Sequence, residues 1–326
     1  MLPPTVGPSR SREHGDATLL VVGSANLDIV AHAERIPAPG ETLLGTEVLY
    51  LPGGKGLNQA CAAGAVYPLV HFIGSVGSDN AGDQLSTRLT EYGVNIEHLL
   101  RSDQSATGTA HISVDTTGMN SIIVVPAANA DVTSEHVEQA FTELDDLTGC
   151  VTVLQGEIPP ASSLWAAELT YERGGRTVLN LAPVTREEPA LLTYADPLIV
   201  NEYEAGILLD ADAPESWEDA EIAAENLLAT SPSAIVTLGS MGSVVACRLD
   251  EGSIQLTRIE ATPIDHPVDS TGAGDAFVGV LAAGLCQGKD LVEAAQAASY
   301  HAAMTVEVPG ASESYSVLRT ASGDTK

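Results

Sequence analysis

The sequence predicts an α/β fold: a mostly parallel central sheet with helices on both faces, and a small β-sheet standing off it. Three observations predict this. Short apolar runs recur along the chain, helical stretches separate them, and two early segments break the alternation. Strands joined through helices pair in parallel, and the crossover helices then cover both faces of the sheet.

Residues 1–17 are polar and proline-rich, and read as a flexible leader; residues 319–326 read as a flexible tail. The domain expected between them spans 18–318. Its first strand is the apolar run 18–23. Further buried-strand candidates are 70–73, 150–154, 177–181, 198–200 and 234–238. The helical stretches between and after them are 56–65, 81–92, 134–144, 162–172, 217–229, 274–286 and 290–306. Segments 29–50 and 107–125 have alternating and β-branched residues but no long helical face. Within the second, HISVDTTGMNSIIVV reads as two strands around a glycine turn. These segments are the expected small sheet, placed to cover a ligand at the strand ends.

The chain has 326 residues, 44% of them apolar and 18% charged, enough for a sizeable core. This excludes a wholly disordered chain and a small disulfide scaffold. Cys61, Cys150, Cys247 and Cys286 stand too far apart for metal-ligand or redox spacing. The 44 acidic residues face only 14 Lys plus Arg, a formal charge of −30. Such a charge argues against nucleic-acid and anionic-membrane partners. Lysine is reduced to Lys55, Lys289 and Lys326. An acidic, lysine-poor surface suits a salt-rich cytoplasm, where screening weakens self-repulsion, so a halophilic source is expected. No apolar run is long enough to span a membrane and no secretory hydrophobic region opens the chain, so a cytoplasmic location is expected.

Two glycine-rich segments could carry chemistry. In DSTGAGDAF (269–277), Gly272, Ala273 and Gly274 open a helical stretch, and Asp275 falls in its first turn. Small residues let amides converge at a helix start, where the dipole favours anions. An acid there can complement the dipole, or serve as a general base beside an anion hole. In PGGKGLNQA (52–60), Gly53, Gly54 and Gly56 flank one of the three lysines, and Asn58 adds a polar group. This is either a tight turn opening a helix or a place where the backbone approaches a ligand. No Walker A sequence, GxGxxG after the first strand, HExxH or GxSxG occurs.

Together GGKGLNQA and DSTGAGDAF resemble the two signatures of the ribokinase-like, phosphofructokinase-B type carbohydrate kinases. The resemblance covers roughly residues 18–318 and extends through GSANLD, IPAPGET, AANADVT, NLAP, NEYEA and TLGSMG in the family's order. It implies a ribokinase-like three-layer α/β/α sandwich with a β-sheet lid. It also implies ATP-dependent phosphorylation of a sugar hydroxyl. Asp275 matches the family's base, and the amides of Gly272, Ala273 and Gly274 its anion hole. Asn26, Asp28, Gly54, Lys55, Asn58 and Glu157 match its sugar contacts. Asn201, Thr237, Gly239 and Ser299 match nucleotide contacts, Ser299 weakly, since Tyr300 and His301 replace small residues there. Asn201 and Glu204 match a water-mediated Mg²⁺ site, although an N-cap at Asn201 with a first-turn acid explains the same pattern. Asp269 and Thr271 match part of a monovalent-cation site suited to K⁺, while VEVPGAS (306–312) departs from the family there.

GGKGxNQA, PGET, NLAP and Glu157 resemble the ribose-phosphorylating branch, which implies D-ribose to D-ribose 5-phosphate. Other acceptors of the same fold stay open: a nucleoside, ribose 1-phosphate, fructose or a keto-sugar acid. A non-catalytic sugar or nucleotide sensor is the reading from another class, disfavoured because Asp275 and Gly272–Gly274 are all present. Family members often pair through the lid, and Leu43, Leu44, Val48 and Leu49 could supply apolar surface for a homodimer.

Overall fold

The computed structural model describes residues 17–249 and 252–321. The expected leader falls outside these except for Ala17, which is buried and accepts a hydrogen bond from the Tyr67 hydroxyl. The expected tail is described only to Ala321.

The central sheet has nine strands in the order β13-β12-β11-β10-β9-β8-β1-β4-β5. In chain order these are β1 (Leu19–Val22), β4 (Val70–Gly77), β5 (Leu99–Ser102), β8 (Val151–Gln155), β9 (Arg176–Asn180), β10 (Ala195–Asn201), β11 (Ser233–Thr237), β12 (Gly242–Arg248) and β13 (Ile254–Glu260). All pairings from β5 to β11 are parallel, whereas β12 and β13 add an antiparallel edge. The six strands expected from apolar runs are thus present as β1, β4, β8, β9, β10 and β11, whereas β5 was not expected. The edge hairpin was not expected, because no helix separates its strands from β11.

Helices α1 (Lys55–Val66), α2 (Asn80–Glu91), α7 (Ala273–Cys286), α8 (Leu291–Thr305) and α9 (Ser316–Ala321) contribute to the core on one face. Helices α3 (Ser134–Glu143), α4 (Pro160–Glu172), α5 (Glu202–Leu209) and α6 (Trp217–Leu227) contribute to the other. Period-two alternation feeds both cores: Leu19 and Val21 point to the first, Leu20 and Val22 to the second. The result is the three-layer sandwich. Helix α9 crosses the expected 318/319 boundary, and the Arg319 guanidinium stacks on the Tyr92 ring at 4.6 Å.

The second sheet has four strands in the order β3-β2-β6-β7. They are β2 (Asn26–His32), β3 (Glu47–Gly53), β6 (Gly108–Val114) and β7 (Asn120–Val125). The pair β6–β7 turns at Gly118, whose φ of +85° favours glycine. One end of this sheet reaches the strand ends of the central sheet: Asn26 pairs with both Gly53 and Gly108, and β3 runs directly into α1.

Candidate active site

The turn into α1 is built by close backbone approach. Gly54 has φ +89°, and a Cβ there would lie 2.7 Å from the Asn26 amide nitrogen. A Cβ on Gly53 would lie 2.1 Å from a carboxylate oxygen of Asp28. The helix start is filled from within the chain. Glu157, just after β8, accepts the Lys55 N–H at 3.1 Å and the Ser24 hydroxyl at 2.5 Å; Ser24 in turn accepts the Gly56 N–H at 3.3 Å. Asn26 is fixed by Asn129, whose amide nitrogen donates to its side-chain oxygen at 2.7 Å.

Several carboxylates converge near this turn. Burial, followed by the charges of Glu157, Asp275 and Glu313, pushes the Asp28 carboxyl up to about 7. Burial works against the Lys55 ammonium, but the carboxylates of Asp275, Glu157 and Glu204 outweigh it and hold its pKa above the ordinary lysine value.

The start of α7 has a different finish. Gly272 precedes the helix at φ +77° with no side-chain cap. Its carbonyl accepts the Ala276 N–H at 2.8 Å and the buried Tyr315 hydroxyl at 2.8 Å. The Ala273 N–H donates to the Ser270 carbonyl at 3.2 Å. Among the described residues the Gly274 amide has no acceptor, and a Cβ on Gly274 would meet nothing within 4 Å. An exposed helix terminus with an unfilled amide is suited to an anion.

Asp275 sits one residue further on and is buried. Asn58 donates to its Oδ2 and Gln59 to its Oδ1, each at 3.0 Å. Lys55 and Asp275 line one cleft of ≈170 Å³, together with Asn201, Glu204, Thr237, Gly272 and Gly274. The two glycine motifs, more than 200 residues apart, therefore meet across a single cavity.

Asn201 ends β10 and caps α5. Its side chain accepts the Glu204 N–H at 2.9 Å, and Glu204 accepts the Asn201 N–H at 2.8 Å. The N-cap reading of NEYEA holds, and the same pair faces the cleft. Burial raises the Glu204 carboxyl above its ordinary value, against the Asn201 N–H, which favours the charged form. On the loop before α7, Asp269 accepts the Thr271 N–H at 2.9 Å, the Thr271 hydroxyl at 2.6 Å and the Gly310 N–H at 2.9 Å. Burial opposes the Asp269 charge, yet these bonds hold its carboxyl below the usual range.

The pfkB family carbohydrate kinase model matches residues 16–318. The chain belongs to that family. As a pfkB carbohydrate kinase it is a phosphotransferase with an alcohol group as acceptor. It is 32% identical over 289 residues to a ribokinase of Bacillus subtilis, covering 88% of this chain and 92% of that one. It is 30% identical over 300 residues to a deoxyribokinase of Salmonella typhi, covering 91% and 95%. A structure of Arabidopsis thaliana ribokinase complexed with ribose and ATP superposes with a TM-score of 0.79 at 30% identity, covering 95% of this chain and 100% of that one.

In this kinase the residues named from sequence fall into four groups. Lys55, Asn201, Glu204, Thr237, Gly272, Gly274 and Asp275 line the cleft. Asn26, Asp28, Gly54, Asn58 and Glu157 are not among the lining residues; Asn58 reaches the cleft through its bond to Asp275 and Glu157 through its bond to the Lys55 N–H. Gly239, in the turn after β11 at φ +50°, and Ser299, on α8, are not among the cleft-lining residues. Asp269 and Thr271 lie behind the α7 start. Reasoning from the sequence missed Gln59, Asn129, Asn180, Gln155 and Tyr315. Gln59, Asn129 and Asn180 lie within GGKGLNQA, AANADVT and NLAP, so the motifs carried a signal for three of the five. No helix among the described residues is long and apolar enough to cross a membrane.

Proposed function

We propose that this kinase transfers the γ-phosphoryl group of ATP to the 5-hydroxyl of D-ribose, giving D-ribose 5-phosphate and ADP. The observation that carries this reading is the single cleft where Asp275 sits beside the unfilled start of α7 and across from Lys55. Similarity to the Bacillus and Arabidopsis ribokinases supports ribose. The deoxyribokinase relative supports 2-deoxyribose as the competing acceptor.

Asp275 is the base. It takes the hydroxyl proton as that oxygen bonds to the γ-phosphorus, and the bond from phosphorus to the bridging oxygen breaks, leaving its electron pair on ADP. The α7 tip at Gly272, Ala273 and Gly274 stabilises charge on the group in flight, with the Gly272 and Gly274 N–H groups as donors that have no acceptor among the described residues. Asn26, Asp28, Gly54, Lys55, Asn58 and Glu157 hold the sugar. Asn58 suits this role because its Nδ2 is committed to Asp275 while its buried Oδ1 has no partner among the described residues. The lid covers the sugar and limits attack by water.

Asn201, Thr237, Gly239 and Ser299 are assigned to ATP. Mg²⁺ fits Asn201 and Glu204: both offer hard oxygen donors facing the cleft. No cluster of three His, Cys, Asp or Glu ligands exists among the described residues, so a bound ion would need water and phosphate oxygens to complete its shell. The ion supplies charge neutralisation on the phosphates. K⁺ fits the ionised Asp269 and the Thr271 backbone, and equal activity in sodium-only and potassium buffers would count against it. The lid supports a homodimer: Leu44 is 93% and Ile123 67% exposed, with Val48 and Tyr50 also exposed. Sedimentation of a Leu44→Asp, Ile123→Asp variant as a monomer is the expected result.

The test is a turnover panel with ribose, deoxyribose, fructose, ribose 1-phosphate, nucleosides and keto-sugar acids at high potassium chloride. Ribose is expected to lead, and a leading nucleoside or phosphosugar overturns the substrate. Asp275→Asn is expected to cut kcat by about a thousandfold while leaving sugar binding intact. Turnover within about tenfold of the native enzyme would show that Asp275 is not the base.

A further inference from the structure

We propose that Gln59 is a positioning residue for the phosphoryl-transfer base, holding the Asp275 carboxylate from behind through a buried chain of side-chain amides anchored in β8 and β9. The inference rests on the reading of Asp275 as that base.

Every polar atom of Gln59 is committed. One proton on Nε2 goes to Asp275 Oδ1 at 3.0 Å and the other to Asn180 Oδ1 at 3.0 Å. Its Oε1 accepts from Gln155 Nε2 at 2.8 Å. Asn180 in turn donates to the Ile199 carbonyl of β10 at 3.2 Å. The amide cannot be reversed. A flipped Gln59 would set its oxygen against both the Asp275 carboxylate and Asn180 Oδ1, and its nitrogen against the Gln155 donor.

The chain is also largely buried, with Asn180 reaching the wall of the cleft. Gln59 is 0%, Gln155 1% and Asn180 9% exposed. Three buried amides in place of apolar side chains are costly unless each bond is made, and Gln155 Oε1 has no partner among the described residues, so the chain is kept at a cost to stability. Their one link to the catalytic cleft's base is the bond to Asp275 Oδ1. A carboxylate held on both oxygens, by Asn58 on one and Gln59 on the other, cannot swing away from an incoming hydroxyl, and rotor freedom is removed before substrate arrives. Lys55, Asp28, Glu204 and Tyr315 also lie within electrostatic range of Asp275.

The experiment is a double-mutant cycle on the full chain, with ATP, Mg²⁺ and the best acceptor from the panel. Gln59→Leu alone is expected to lower kcat by about thirtyfold with the sugar KM within about threefold of the native value. Placed on Asp275→Asn, it is expected to change the residual rate by less than about twofold, because it acts only through the lost carboxylate. The same fractional loss in both backgrounds, or a native kcat in Gln59→Leu, overturns the proposal. If Gln59→Leu fails to fold, Gln155→Leu is read one link further away. A kcat loss of about threefold that vanishes on Asp275→Asn supports the chain, and no loss, or a loss retained on Asp275→Asn, overturns it. An Asp275→Asn enzyme that keeps turning over within about tenfold would instead end the underlying reading of the base.

Discussion

Two helices of this kinase start at a glycine with positive φ: α1 after Gly54 at +89° and α7 after Gly272 at +77°. Neither has a side-chain cap from its own N-cap residue. They differ in what meets the exposed amides. At α1 the chain brings its own acceptors, Glu157 to the Lys55 amide and Ser24 to those of Gly56 and Leu57. At α7 the Gly274 amide is left without an acceptor among the described residues. A glycine-rich helix start is therefore ambiguous as sequence. The fold decides whether it is a structural joint or an anion site, according to whether another strand end delivers a carboxylate to it.

Substituting one glycine at each helix sharpens this contrast. Gly54→Ala is expected to have the largest effect, and on stability. The new Cβ would sit 2.7 Å from the Asn26 nitrogen and 3.1 Å from the Ala25 Cα, both backbone atoms, at a φ that L residues rarely adopt. A loss of about 2–4 kcal/mol is expected, seen as a thermal midpoint lower by about 5 °C or more. Gly274→Ala is expected to do the reverse. Nothing lies within 4 Å of its Cβ and alanine is the better helix former, so the midpoint should hold or rise. The methyl group would occupy the mouth of the anion site, and kcat should fall about a hundredfold. Comparable thermal losses in both variants would dissolve the distinction between the two starts.

Glu157→Gln separates filling from charge. Glutamine can still accept the Lys55 N–H, so α1 should form and the thermal midpoint should change little. Loss of the charge removes a carboxylate acceptor for sugar hydroxyls and a partner for the Lys55 ammonium. The sugar KM is expected to rise about tenfold with kcat changed less than threefold. An unchanged KM would reduce Glu157 to a helix cap.

The elements that sequence reading recovered are those that carry a local pattern, an apolar run, an alternation or a helical stripe. Strands such as β1, with all four residues buried, appear as apolar runs bounded by polar ones. Helices α1 and α7 begin within a residue of the expected starts at 56 and 274 because their glycine motifs mark them. Helix α5 was legible only at its start, as the N-cap at Asn201: EYEAGILL has eight residues, too few to display a stripe. The β12–β13 hairpin was missed because a search for strands alternating with helices does not find two strands that pair directly. The site divides in the same way. Gly272, Lys55 and Asp275 were legible because backbone freedom and a rare charge leave a mark on composition. The Gln59 contacts to Gln155 and Asn180, across 96 and 121 residues, have no local signature; they exist only once β8, β9 and α1 are stacked.

The smallest expected effect concerns Asp28, on the side of the cleft where the amides are filled and carboxylates crowd instead. Its carboxyl is pushed up to about 7 by burial and by Glu157, Asp275 and Glu313. The sign follows from proton counting. Between its ordinary value of 3.8 and 7 the native state holds a proton that the unfolded chain has released. Stability from this group therefore falls as pH rises through that window, and the loss is complete above 7. Asp28→Asn removes the penalty, so its urea midpoint should exceed that of the native protein at pH 8 by more than it does at pH 5. Sugar binding should move the other way in the native enzyme. The ionised carboxylate is the stronger hydroxyl acceptor, so KM should fall as pH rises from 6 to 8, and that slope should disappear in Asp28→Asn. Parallel stability profiles for the two proteins would mean that the crowding of Asp28 is relieved by rearrangement of the α1 turn, leaving the filled helix start as the only constraint on that side of the cleft.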